Sequence, residues 1–121
     1  MKDDTLPRIF LDRNLASFGD VLVNLIYSLA VTRRKGVPAG VKVSNRVLAE
    51  AMRRAGLRAF LPGKIDRRFI GNSAEALIAY AWLGNRISLD ECVEVVGKKF
   101  ENPEDALKDL LLTILEKLVE K

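Results

Sequence analysis

The chain contains no histidine and no glutamine, and its one cysteine, Cys92, has no partner for an internal disulfide. Without histidine the usual general base and every histidine-containing triad are excluded, so any catalysis rests on carboxylates, a metal ion, lysine or tyrosine. Cys92 lies between acidic residues and is expected to be a small core side chain, neither a nucleophile nor a zinc ligand. The alternation of apolar and polar residues that marks a strand is missing throughout, so the fold is expected to be all-α. Apolar runs are too short for a bilayer-spanning helix, and the opening MKDDTLPR has no signal-peptide character. A cytoplasmic location is therefore expected, with neither a membrane nor an organic cofactor as partner.

The residues that are present suit one compact domain. The chain has 121 residues, 49% hydrophobic and 30% charged, which is enough apolar material to bury a core and too much for a disordered segment. Net charge is +4, unevenly spread. Residues 1–32 carry three basic and four acidic groups, residues 33–68 eleven basic and two acidic, and residues 69–121 six basic and ten acidic. A central basic block is the footprint of a polyanion partner, or a solvated face that keeps the protein dissolved.

The stretch LASFGDVLVNLIYSLAV, residues 15–31, reads as the helix around which the chain is organised. Apolar side chains cover most of its circumference, as on a helix buried on most sides. Ser17, Asp20, Asn24 and Ser28 interrupt that coat at steps of three, four and four, and line up as one polar stripe. A buried carboxylate at Asp20 is costly unless it is paired or bound to metal. An arginine partner, a neighbouring helix end and a metal site are the three explanations open to it.

Taken in order, Pro7 marks a turn or the first turn of a short helix, and Asp12 or Asn14 can cap the helix that follows. Arg33, Arg34 and Lys35 suit its negative end, and Gly36 with Pro38 stops it. The loop KGVPAGVK either lies over a ligand or simply connects. Ser44 opens the helix SNRVLAEAMRRAGL, which Gly56 ends. Residues 57–65 form a basic connection anchored at Phe60 and Leu61. Asp66 caps DRRFIGNSAEALIAYAWLG, on which Arg68, Asn72 and Glu75 share a stripe at steps of four and three. SLDECVEVVGKKF opens with a capping box of Ser88 and Glu91. In NPEDALKDLLLTILEKLVEK, Asn102 is the cap and Pro103 the first helical residue, and the stripe from Leu107 to Leu118 completes the core or covers a partner chain. That makes about five or six helices.

Small residues flank both polar stripes: Ala16 and Gly19 on the first helix, and Gly71, Ala74, Ala76 and Ala79 on the second. Side chains of this size permit close helix approach, so Asp20 and Glu75 can face each other across a narrow gap. Two carboxylates that close repel unless one is protonated or a cation sits between them. A hard divalent ion that keeps several waters needs no more than two carboxylates and an amide. Two separate acids, each paired with an arginine, would satisfy the pattern equally.

The same two helices carry a resemblance. LASFGDVLVNLIYSLA resembles the signature helix of the ribonuclease III family, roughly L-E-F-L-G-D-A-V-L, and GNSAEALIAYAWL is similar to that family's second acidic motif, D-x-x-E-A-L-I-G. VKVSNRVLAEAMRRAGL resembles the helix between them, and the match spans about residues 11–96 with motif order and spacing kept. Two family acids are absent: Ala16 stands four before Asp20, and Asn72 three before Glu75. No acid lies between Val21 and Ala49, where the family often has another. The compact Mini-III branch, which tolerates alanine at the Ala16 position and has no double-stranded RNA-binding domain, is the relative this chain most resembles. A single domain over residues 1–121 without that second domain is the corresponding expectation.

The resemblance implies a metal-dependent endoribonuclease acting as a homodimer on double-stranded or structured RNA. Asp20 and Glu75 would be the catalytic carboxylates, holding magnesium or manganese with Asn72 as a neutral helper. Arg33, Arg34, Lys35, Lys42, Arg46, Arg53, Arg54, Arg67 and Arg68 would face RNA phosphates, by shape more than by sequence. Phe18, Leu22, Leu25 and Ile26 would form the dimer contact, because the signature helix has more apolar surface than one small subunit covers. Two further readings follow from the missing acids and from the general independence of fold and function. One is an RNA-binding dimer without cleavage, the other a protein-interaction module with no RNA role.

Overall fold

A computed structural model describes residues 5–119. Among these the chain forms six α-helices and one 3-10 turn, with no strand: α1 (Thr5–Phe10), α2 (Arg13–Lys35), α3 (Asn45–Arg54), the turn Arg58–Phe60, α4 (Arg67–Leu83), α5 (Leu89–Gly97) and α6 (Pro103–Val119). The helix starts follow the capping chemistry. Asp12, rather than Asn14, caps α2 by accepting from the Leu15 N–H at 3.0 Å. Ser44 accepts from Val47 at 3.2 Å, Asp66 from Phe69 at 2.9 Å and Ser88 from Glu91 at 3.0 Å. Each such bond contributes about 1 kcal/mol. Gly36 closes α2 in the left-handed region, φ 77°, its N–H donating to the Thr32 carbonyl; a side chain there would be strained.

The most enclosed helix is α4, not the organising helix expected at residues 15–31. It packs against α1, α2, α3 and α6, and residues Ser73 to Ala79 form an unbroken buried run. Ala74, Ala76, Ala79 and Ala81 explain this, because small side chains let neighbours approach from several directions at once. Helix α2 is buried on one side only, through Leu22, Val23, Ile26 and Ala30 against α4 and α5. By length and mean hydropathy α2 would pass for a bilayer-spanning helix, contrary to the expectation from its short apolar runs. Here its apolar side serves the protein's own core. On α6, Leu107, Leu110, Leu111 and Ile114 are fully buried, so that stripe completes the core.

The polar stripe of α2 has a structural use beyond Asp20. The segment after Gly36 runs back along the helix, and two stripe residues together with Thr32, one turn further on, hold its backbone in place. Thr32 Oγ1 accepts from the Ala39 N–H at 2.9 Å, Ser28 Oγ from Val41 at 2.8 Å and Asn24 Oδ1 from Val43 at 2.8 Å. The loop KGVPAGVK is therefore a pinned connection, and it brings the Lys42 charge within electrostatic reach of Glu75. In the connection after α3, Leu57 and Leu61 are the buried anchors, whereas Phe60 is half exposed; Phe60 is not the anchor expected. Cys92 is fully buried in the core, and burial pushes its thiol up to about 12, which removes it as a nucleophile at neutral pH.

Candidate functional site

The contact between α2 and α4 is built on a missing side chain. A Cβ on Gly19 would run into the carbonyl of Glu75, so only glycine lets the α2 backbone rest on the α4 backbone at this level. That contact brings the next residue of α2, Asp20, to the Glu75 side chain, near enough for its carboxyl to raise the Glu75 pKa. Glu75 is 4% exposed, the only buried ionisable carboxyl among the described residues. Burial pushes its pKa up to about 8, reinforced by the hydrogen bond to Asp20 and by that neighbour's charge and opposed by Lys42. A proton shared between two acids is the metal-free answer to carboxylates held this close.

Among the described residues no arginine or lysine forms a salt bridge with Asp20 or Glu75, so the reading in which each acid is locked to its own arginine does not hold. The pair opens on a cavity of about 710 Å³, lined also by Ala16, Ser17, Asn72, Phe10 and Phe69. Asn72 thus lines the same cavity as both acids, and Ala16 lies in the same wall. No three acidic, cysteine or histidine side chains converge to hold a metal among the described residues. Two carboxylates with an amide oxygen suit an ion that completes its shell with water and phosphate oxygen, and do not suit an all-protein cage.

The raised pKa has a consequence for stability. A group whose folded pKa lies above its unfolded value adds stability that is complete below the unfolded pKa and is lost as pH rises through the folded one. For Glu75 that window runs from the ordinary 4.5 to about 8. The wild-type melting temperature is expected to fall across this window relative to Glu75→Gln, the gap closing at low pH. Parallel pH profiles for the two proteins would contradict this assignment of the shared proton.

The basic block divides into two groups. Arg33 pairs with Asp90 at 3.2 Å and Arg46 with Glu104 at 3.5 Å. Arg53 and Arg54 both bind Glu50, and Arg54 also reaches Asp105 at 2.9 Å, tying α3 to α6. Their hydrogen bonds hold the Glu50 carboxyl down to about 2. The guanidinium of Arg34 lies against Gly97 of α5. Much of the block therefore acts within the protein. Lys35, Lys42, Arg67 and Arg68 are exposed, and none is in an ion pair among the described residues. Arg68 lines the acidic cavity, together with Arg13, which the sequence reading left without a role.

The proposed dimer contact also divides. Leu22 and Ile26 are 4% and 0% exposed, enclosed by the chain's own core, so they are not available to a partner. Phe18 and Leu25 are 40% and 46% exposed, and Val21 and Leu83, missed from the sequence, are more exposed still. Phe18 stacks on Trp82 of α4 with ring centroids 5.8 Å apart. The apolar circumference of α2 thus splits into a core face and an open face.

Comparison with known proteins agrees with this geometry at the level of the family. A search of curated proteins returns no match. A family model described as Ribonuclease III matches residues 13–118, from the first residue of α2 to the end of α6 and across both acidic helices. The chain belongs to the ribonuclease III family.

Proposed function

We propose that this chain is a metal-dependent endoribonuclease of the compact Mini-III-like type, which cuts double-stranded or structured RNA as a homodimer. The single observation that carries the reading is the Asp20–Glu75 pair: two carboxyl groups on helices in backbone contact at Gly19, lining one cavity, with no salt bridge to either among the described residues. Asp20 and Glu75 would hold a divalent cation in place of the proton that burial keeps on Glu75. Magnesium or manganese fits the donor set, with Asp20 and Glu75 as anionic ligands and the Asn72 amide oxygen as a neutral one. When bound, the ion supplies Lewis-acid stabilisation of charge on the phosphodiester and activates water for attack. Lys42, whose charge reaches Glu75, adds positive potential near the pair. Phe10 and Phe69 give the cavity apolar walls that limit bulk water. Arg67, Arg68 and Lys35 offer charge to neighbouring phosphates.

The dimer reading is supported by the open face of α2. Phe18, Val21 and Leu25 recur on one side of the helix, with Leu83 of α4 also exposed, and a twofold contact would cover them with the same surface of a second copy. Light scattering is expected to return twice the chain mass of 13.5 kDa. Phe18→Asp is expected to return one mass with an unchanged helical signal, since Phe18 lies outside the core. A wild-type protein that stays single at micromolar concentration would rule out the contact.

A second reading, an RNA-binding dimer that does not cut, is favoured by one observation: Ala16 and Asn72 line the cavity at the positions of two family acids. The two readings separate in one assay with a plain RNA duplex. Cleavage that requires magnesium or manganese and stops with chelator supports the enzyme. Salt-sensitive binding with no cleavage under any divalent ion supports the second reading. Absence of both would leave the interaction-module alternative.

A further inference from the structure

Arg13 and Arg68 occupy matched places on two neighbouring helices. Arg13 is the first residue of α2, seven before Asp20, and Arg68 is the second of α4, seven before Glu75. Seven residues are close to two helical turns, about 10 Å along each axis. Both arginines line the cavity that holds the carboxylate pair, and both are exposed. Neither forms a salt bridge among the described residues. Asp12 and Asp66 also line this cavity, but each carboxylate accepts from a backbone N–H of its own helix, at Leu15 and Phe69. The two guanidinium groups and the two capping aspartates therefore stand at one level of the cavity, with Asp20 and Glu75 about two turns away.

We infer that Arg13 and Arg68 form a two-guanidinium subsite that grips a phosphodiester of the RNA strand being cut, displaced along the strand from the group at Asp20 and Glu75. Guanidinium presents a planar fork that matches phosphate oxygens, and two forks on one phosphate fix its orientation as well as its position. Because each arginine is tied by its helix to one of the acids, gripping one phosphodiester sets which bond reaches the carboxylate pair. The identity of the ligand as RNA rests on the proposed function; the preference for a phosphate group rests on the arginines alone.

The test is duplex binding in chelator across a salt series, with wild type, Arg13→Ala, Arg68→Ala and the double variant, on duplexes with and without 5′-phosphates. Each alanine is expected to weaken binding about tenfold at low salt. Because both arginines grip one phosphodiester, the double variant should also lower the slope of log affinity against log salt by about 0.9, and each single variant by less. Equal losses with and without 5′-phosphates are expected of an internal phosphodiester. Losses confined to the 5′-phosphorylated duplex would overturn that assignment. If wild type binds duplex and the variants bind with unchanged affinity and slope, the subsite is overturned while the RNA reading stands. If wild type binds no duplex, the RNA reading fails and inorganic phosphate decides the subsite. A rise in wild-type melting temperature with phosphate that both variants lose supports the anion subsite, and an equal rise or none in all proteins overturns it.

Discussion

Asp20→Asn and Glu75→Gln are each expected to lower RNA cleavage by about a thousandfold or more, the rate equivalent of losing several kcal/mol of metal-borne transition-state stabilisation. Their effects on folding should differ in sign from their effects on activity. Glu75 is buried with its pKa pushed up to about 8, so at alkaline pH the folded wild type holds a buried carboxylate beside Asp20. Glu75→Gln removes that charge while keeping the size of the side chain. Its melting temperature above pH 8 is expected to equal or exceed that of wild type while cleavage is lost. A residue kept for packing would lose stability and activity together. Stability gained as activity disappears is the behaviour of a group retained for chemistry. Single-turnover cleavage and thermal melts on the same preparations check both halves.

Gly19 is expected to give the largest stability effect of any single site. A Cβ there would overlap the main chain of Glu75, and neither helix backbone can move aside without opening the core around Leu22, Val23, Leu77 and Ile78. Gly19→Ala is expected to destabilise by about 3 kcal/mol, the upper part of the range for overpacked cores. Gly19→Leu is expected to leave no folded protein. Gly40 is the internal control, since a Cβ at that position meets nothing within 4 Å. Gly40→Ala should change stability by no more than about 1 kcal/mol, and in the favourable direction, through the unfolded chain. Denaturant midpoints for the two alanine variants, measured side by side, test the comparison. Equal midpoints would contradict the close contact between α2 and α4.

Much of this was legible in the residues because it is local. Asp12, Ser44, Asp66 and Ser88 cap their helices through hydrogen bonds three residues ahead, and such bonds depend on little else. The facing of Asp20 and Glu75 was legible for a different reason: small residues beside both acids leave a close approach as one of few packings. What the sequence concealed depends on partners far along the chain. The apolar coat of α2 looks uniform, yet α4 and α5 cover Leu22 and Ile26 and leave Phe18 and Leu25 open. The polar stripe on α2 was legible as a pattern, but not that Asn24 and Ser28, with Thr32, hold the following segment. The basic block resembled one surface because its acidic partners, Asp90, Glu104 and Asp105, are 57, 58 and 51 residues away in sequence. Arg13 was hidden in a stretch with no basic excess. Its signal was the repeated seven-residue step, Arg13 to Asp20 and Arg68 to Glu75, which gains meaning only when the two helices are known to share a cavity.

The carboxylate pair as a cation site is tested most directly by titrating manganese into the wild type, Asp20→Asn and Glu75→Gln in two buffers of different ionisation enthalpy near pH 7. One ion per chain is expected in the wild type, with release of most of one proton, because the cation displaces the proton that Glu75 holds below about pH 8. Both variants are expected to lose the binding and the proton release together. Manganese binding that persists unchanged in either variant, or that releases no proton in the wild type, would contradict a cation shared by Asp20 and Glu75.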